Sequence, residues 1–255
     1  MARCGGRWSG SGLIGMSSSE DGASGSQTCI ALVSAIREEI APLVRSWKAG
    51  EIGYDDRTFP FFESENSVSK VVVICSGIGA EHGRRAAEAV IQKVQPSTIV
   101  SVGYAGALDA SLKVGDVIEP KVVVCGADGS RAETERGSGT LVSSAAVANR
   151  DQKRKLAAAY GAIAVDMEGA AVALAARAHG IDFAALKSIS DELDFAMPPV
   201  SEFVSPQGKF RHAGFGLHVA IRPWLWARTI ALAKNSARAS KTLCAAIGEY
   251  LDREH

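Results

Sequence analysis

From Cys29 onward, short apolar runs alternate with stretches of helical spacing. Cys29 to Ala35 (CIALVSA) and Lys70 to Cys75 (KVVVIC) are almost wholly apolar, the pattern of strands covered on both faces. Between them, Ile40, Leu43, Val44 and Trp47 recur at helical spacing and predict a helix over Glu38 to Lys48. A second helix is predicted from Glu81 to Val94, stopping before Pro96. Further strands are predicted over Thr98 to Val102, Val117 to Val124, Gly139 to Val142, Ile163 to Val165 and Phe183 to Ile189. A helix from Glu168 to His179 is closed by Gly180, and residues 212 to 251 read as a helical end with Pro223 in a first-turn position. The polar stretch Cys125 to Ser138 reads as a flexible loop. Apolar strands alternating with helices imply an α/β domain whose sheet is covered on both faces.

The first 28 residues differ in texture. They are rich in Gly and Ser and lack the continuous apolar segment of a signal peptide, so they read as a disordered arm ahead of a single domain over 29–255. Met16 offers a second candidate start. No apolar run reaches the roughly 20 residues needed to span a bilayer.

Composition narrows the classes further. The 255 residues carry 28 basic and 28 acidic side chains, a balance that leaves no electrostatic footprint for nucleic acid. The densest basic stretch, Arg150 to Lys155 (RDQKRK), reads as a solvated helix face. Five cysteines without a C-x-x-C pair, and five histidines without an H-x-x-x-H pair, argue for free thiols in a reducing compartment and against a metal site.

Four motifs sit where chemistry is expected. Ser76-Gly77-Ile78-Gly79 joins a strand to a helix, where backbone N–H groups suit an anion, and a ligand-free tight turn is the plain alternative. His82 stands where a dinucleotide fingerprint needs its third glycine, which disfavours an oxidoreductase. Gly103-Tyr104-Ala105-Gly106 follows a buried strand and lets a flat ligand approach the backbone. Val165-Asp166-Met167-Glu168-Gly169-Ala170-Ala171 opens a small-residue helix with a carboxylate, which helix-dipole complementarity alone would explain. Ser188-Ile189-Ser190-Asp191 ends a strand, at the edge of an α/β sheet where ligands bind; a Ser/Asp helix cap is the competing reading.

Taken together, SGIG, VGxAGxLxxxLKVGDV, VDMEGAA and SISD resemble, in order and spacing, the nucleoside phosphorylase superfamily, and most of all its 5′-methylthioadenosine/S-adenosylhomocysteine nucleosidases. The resemblance covers about residues 29 to 195. The stretch from Pro198 onward (PPVSEFVSPQGKFRHAGFGLHVAIRPWLWARTIALAKNSARAS) resembles the superfamily's hopanoid-associated phosphorylase group. The resemblance implies a mixed, mostly parallel central sheet and cleavage of an N-ribosidic bond in a 5′-modified adenosine, by an N-ribosyl hydrolase or a purine nucleoside phosphorylase. An adenosylated hopanoid precursor is one candidate substrate; a methylthioadenosine-type nucleoside is the other. A catalytically inactive nucleoside-binding module is the rival of another class. Neither metal nor redox cofactor is implied, and phosphate stays open as a co-substrate. A homodimer in the cytoplasm is expected, with a peripheral place at a membrane surface left open for the helical end.

By the same resemblance, Asp191 protonates the departing purine, which requires burial to favour its neutral form, and Ser190 orients it. Glu168 binds the ribose diol and favours an oxocarbenium-like state. Met167 packs beneath the sugar, Glu39 holds the attacking water, Gly106 and the backbone near Ala148 line the base, and Ser76 with Gly77 contacts substrate. Three positions depart from the pattern. Tyr104 replaces a small hydroxyl residue, and Val147 replaces the aromatic that flanks the base. Ser101 stands where phosphorylases place a phosphate-binding arginine, which favours water, although Arg37 and the SGIG loop keep an anion site open. Finally, Phe195, Met197, Phe203, Phe210, Phe215, Trp224 and Trp226 are concentrated in one segment. They read either as helix packing or as the wall of an apolar channel for a large 5′ group.

Overall fold

The computed structural model describes residues 29–64 and 70–254. The N-terminal arm expected over residues 1–28 lies outside them. The described chain forms one α/β domain around a mixed sheet (Fold elements β1 Cys29–Ser34, β2 Lys48–Tyr54, β3 Arg57–Glu63, β4 Lys70–Cys75, β5 Thr98–Ala107, β6 Val117–Ile118, β7 Val122–Cys125, β8 Arg131–Glu133, β9 Thr140–Ser143, β10 Ala164–Asp166 and β11 Asp182–Asp191). The helices are α1 Arg37–Ile40, α2 Ala80–Val94, α3 Arg150–Tyr160, α4 Gly169–Ala178, α5 His212–Ala220 and α6 Pro223–Arg253.

Strands β4, β1, β5 and β11 run parallel in the middle of the sheet. The long strand β5 is the branch point. Its first half pairs with β1, its far end pairs antiparallel with β10, and β11 follows it almost throughout. From β10 the sheet continues through β9 and β7 to β8, and the β2–β3 hairpin closes the other edge. Helices α2 and α4 cover one face and α6 the other. Leu243 and Ile247 of α6 are fully buried against β1, β4 and β5, each contributing about 1.5–3 kcal/mol by burial.

Local chemistry explains the element ends. Asn149 caps α3 by accepting from the Gln152 N–H, and Gly161 ends it in a left-handed conformation (φ 60°). Pro223 opens α6, where its missing N–H costs nothing.

Four sequence expectations change. The helix expected over Glu38 to Lys48 shrinks to α1, because Pro42 follows within two residues and Lys48 already begins β2. The strand expected over Val117 to Val124 splits at Glu119-Pro120 into β6 and β7. The loop expected over Cys125 to Ser138 contains β8, which pairs antiparallel with β7. The helix face at Arg150 to Lys155 is not wholly solvated, since Lys153 is only 1% exposed.

Candidate active site

The carboxyl ends of the parallel strands converge on a cavity of about 510 Å³. Glu39, Met167, Glu168, Gly106, Ala148, Ser190 and Asp191 all line it, although they come from α1, β5, the β10–α4 turn, the loop before α3 and the end of β11. Tyr104 and Val147 are on its wall as well. Ser76 and Gly77 are not. They line a second cavity of about 570 Å³, which shares Ala35, Ile36, Glu38, Phe210 and His212 with the first. Ser76 and Gly77, expected to contact substrate, thus border this neighbouring space rather than the first cavity.

Glu39 is buried and held from several sides. Ser34 Oγ donates to its Oε2 at 2.6 Å, the Ala35 N–H donates to the same oxygen, and the Tyr104 N–H donates to Oε1 at 3.0 Å. Burial pushes its carboxyl above the usual range, and the Ser34 hydroxyl and Tyr104 N–H only partly oppose that. Gly103 is required beside it: with φ at 149°, a Cβ there would lie 2.9 Å from Glu39 Oε1.

Glu168 stands at the N-terminus of α4 and reaches across to α2, accepting from the Gly79 N–H at 2.6 Å. Burial, followed by the charge of Asp166, pushes its pKa up to about 8. This bond changes the reading of the SGIG loop. The Ser76, Gly77 and Ile78 N–H groups donate to the carbonyls of Ser34, Ala35 and Gly208, and Gly79 donates to Glu168. The anion site expected at those four N–H groups is thus already filled by the protein's own oxygens. The Arg37 guanidinium lies over the Phe62 ring, and Arg37 lines the second cavity together with Ser76 and Gly77.

Asp191 is 4% exposed and accepts from Ser190 Oγ at 2.7 Å. Its other oxygen is paired with Lys153 Nζ, which also donates to the carbonyl of Glu192 at 2.8 Å. The Asp191 carboxyl, expected to be buried, thus faces a buried lysine as well as the Ser190 hydroxyl. Gly106 makes room for the pair, since a Cβ there would lie 3.0 Å from both Asp191 Oδ2 and Lys153 Cε.

A second buried cation lies beneath the site. Lys187 Nζ pairs with Asp166 Oδ2 at 2.9 Å and donates to Ser101 Oγ at 2.9 Å. Burial acts to lower its pKa, but Asp166, Glu168 and Glu39 outweigh that and hold it raised, so the ammonium persists. Asp166 also accepts from Ser143 Oγ and from the Gly169 N–H. Sequence reasoning missed both lysines. For Lys187 a signal existed, a lone cation in an otherwise apolar strand. Among the described residues, no group of three or more His, Cys, Asp or Glu is placed to hold a metal ion.

The aromatic segment divides. Met197, Phe210 and Phe215 line the first cavity, and Phe203 packs edge-on against Phe215. Trp224 and Trp226 instead face outward, 70% and 51% exposed.

The model of the phosphorylase superfamily matches residues 29–136 and 119–213. The chain belongs to the phosphorylase superfamily. This superfamily member is 33% identical over 96 residues to a 5′-methylthioadenosine/S-adenosylhomocysteine nucleosidase of Staphylococcus haemolyticus, a match covering 37% of this chain and 41% of that one. The first such relatives are thus spanned over about two fifths of their length. With the Staphylococcus aureus nucleosidase it shares 28% identity over 156 residues, 48% of this chain and 68% of that protein. The fold likeness is broader. The Arabidopsis thaliana 5′-methylthioadenosine nucleosidase superposes with a TM-score of 0.69 at 18% identity, covering 89% of this chain and 95% of that one. The Helicobacter pylori futalosine hydrolase superposes with a TM-score of 0.63 at 21% identity, covering 87% and 98%.

Proposed function

We propose that this superfamily member cleaves the N-glycosidic bond of a 5′-substituted adenosine and releases adenine. The observation that carries the reading is the single cavity walled by Glu39, Glu168 and Asp191. In this reading Asp191 and Lys153 act as one acid. A proton passes from the Lys153 ammonium to Asp191 as Asp191 delivers one to the departing purine nitrogen, leaving a neutral lysine, an Asp191 carboxylate and a base released with its proton. Glu168 binds the sugar hydroxyls, and its carboxylate form favours the cationic sugar. Met167 lies beneath the ring, and Glu39 takes a proton from water attacking the opposite face.

Water is the preferred nucleophile. Ser101 brings no cation of its own, Lys187 is committed to Asp166, and the N–H groups of residues 76–79 are occupied. One observation favours phosphate as a second reading: Arg37, Arg57 and Lys209 line the adjoining cavity. The 5′ group is read as large and apolar, such as the polycyclic tail of an adenosylated hopanoid, because Met197, Val200, Phe210, Phe215 and Leu232 form that wall. Burial of such a tail at about 25 cal/mol per Å² would dominate binding.

The test is adenine release by purified protein with and without phosphate, with 5′-methylthioadenosine competing against an adenosine that carries a bulky hydrocarbon at the 5′ position. The reading expects release without phosphate, a free sugar, and a higher specificity constant for the bulky substrate. A strict phosphate requirement with a sugar 1-phosphate product selects the second reading. Preference for the smaller nucleoside removes the apolar tail, and no adenine release removes the activity.

A further inference from the structure

Five of the six exposed large hydrophobic residues among the described residues lie between Leu217 and Ile230. They are Leu217, Ile221, Trp224, Trp226 and Ile230, all more than half exposed, on α5, the link after it and the first two turns of α6. Scattered surface hydrophobics are ordinary, but their concentration in one short segment points to an interaction surface.

The charge around it is equally uneven. The chain as a whole is neutral, yet between Glu202 and Glu249 it carries seven Lys and Arg and no Asp or Glu. Arg222, Arg228 and Lys234 alternate in sequence with the apolar residues, Lys209 and Arg211 stand just ahead of α5, and among the described residues none of them is in an ion pair. Charge of one sign interspersed with exposed tryptophan and isoleucine has the complement of an anionic lipid surface, with Trp at the headgroup level and cations against the phosphates. No described helix is long and apolar enough to cross a membrane, so such contact lies in the interface plane.

We propose that α5 and the start of α6 dock this protein on the surface of an anionic bilayer. The same segment walls the first cavity from inside through Phe215, Thr229 and Leu232. The outward side chains thus meet lipid headgroups on the far side of the wall that faces the substrate. That the docking serves entry of a lipid-borne nucleoside rests on the activity proposed above; the docking itself does not.

The experiment is flotation of the full chain with phosphatidylcholine vesicles, with and without phosphatidylglycerol, in the absence of nucleoside. Binding to the anionic vesicles is expected, at least ~10-fold weaker to neutral ones and weakened by salt. Trp224→Ser with Trp226→Ser should reduce it at least ~10-fold, and Arg222→Gln with Arg228→Gln and Lys234→Gln should abolish the salt dependence. Neither set lines the catalytic cavity, so circular dichroism and turnover of a soluble nucleoside should stay at wild-type levels, which separates lost docking from lost folding. No binding to anionic vesicles, or equal binding by the tryptophan variant, overturns the proposal. So does a wild-type dimer that the tryptophan variant splits without any vesicle binding, which would make a second copy the occupant. Because no nucleoside is present, failure of the cleavage reading leaves this result untouched.

Discussion

Lys153 and Asp191, 38 residues apart in sequence, form a buried ion pair on the wall of the cavity, with side chains 2% and 6% exposed. Removing one partner of such a pair leaves a buried charge without compensation, at a cost of about 3–5 kcal/mol. Lys153→Met should therefore lower the melting temperature sharply. Adding Asp191→Asn should recover much of that loss, so that the two changes are strongly non-additive. Thermal denaturation of the two single variants and the double variant measures the coupling; additive losses would mean that the pair has no energetic reality.

The same pair sets the expected chemistry. Asp191→Asn should lower turnover at least ~100-fold, the usual scale for an acid acting on a leaving group. Adenine release by a folded variant, confirmed by circular dichroism, is the measurement. Near-normal turnover would take the proton from another group.

Glu168 carries a pH signature. Its pKa is pushed up to about 8, mainly by burial, while its proposed role needs the carboxylate. The specificity constant should rise with pH and level off above about 8, since that constant reports groups of the free enzyme. The stability consequence runs the other way. A carboxyl raised in the fold binds a proton that the unfolded chain releases, so its contribution is full below the ordinary carboxylate range and is lost as pH rises through about 8. A pH profile flat across that region would separate Glu168 from catalysis.

Gly106→Ala offers a test that touches no charge. The added methyl would press on Asp191 Oδ2 and Lys153 Cε at 3.0 Å. Adenine release should fall at least ~10-fold with a loss of about 1–3 kcal/mol in stability, the usual range for overpacking. Unchanged kinetics would mean that the pair moves aside freely.

Lys187→Met should destabilise the protein by about 3–5 kcal/mol, because Asp166 would lose its buried cation. Chemical denaturation reads this directly. A loss below about 1 kcal/mol would show that Ser143 and the Gly169 N–H satisfy Asp166 unaided.

The sheet was readable from the chain because β1 and β4 are almost wholly apolar on both faces, a pattern that periodicity detects directly. The β2–β3 hairpin was not. Lys48 to Tyr54 is mostly exposed, so its pairing across the turn at Asp55 leaves no apolar alternation along the chain to detect. The three carboxyls were singled out by resemblance to the family, and the fold brings them to one cavity. Lys153 was hidden inside a run of charges, where only the three-dimensional path of α3 distinguishes the one inward side chain from its exposed neighbours. The occupancy of the SGIG loop was equally out of reach, since its partners at Gly208 and Glu168 come from distant parts of the chain.

That loop also constrains how the protein can be altered. Ile78 donates to Gly208, and its neighbour Gly79 donates to Glu168. The stretch around Gly208 borders the adjoining cavity and is the natural place to graft new substrate selectivity. Yet Gly208 has φ at 74°, and a Cβ there would come within 2.3 Å of His82. A redesigned loop that loses this glycine unfastens residue 78, and with it the Gly79 N–H that holds the Glu168 carboxyl. Under the proposed activity, selectivity and catalysis would therefore not be separable modules; a library that varies residues 205–210 has to keep position 208 fixed.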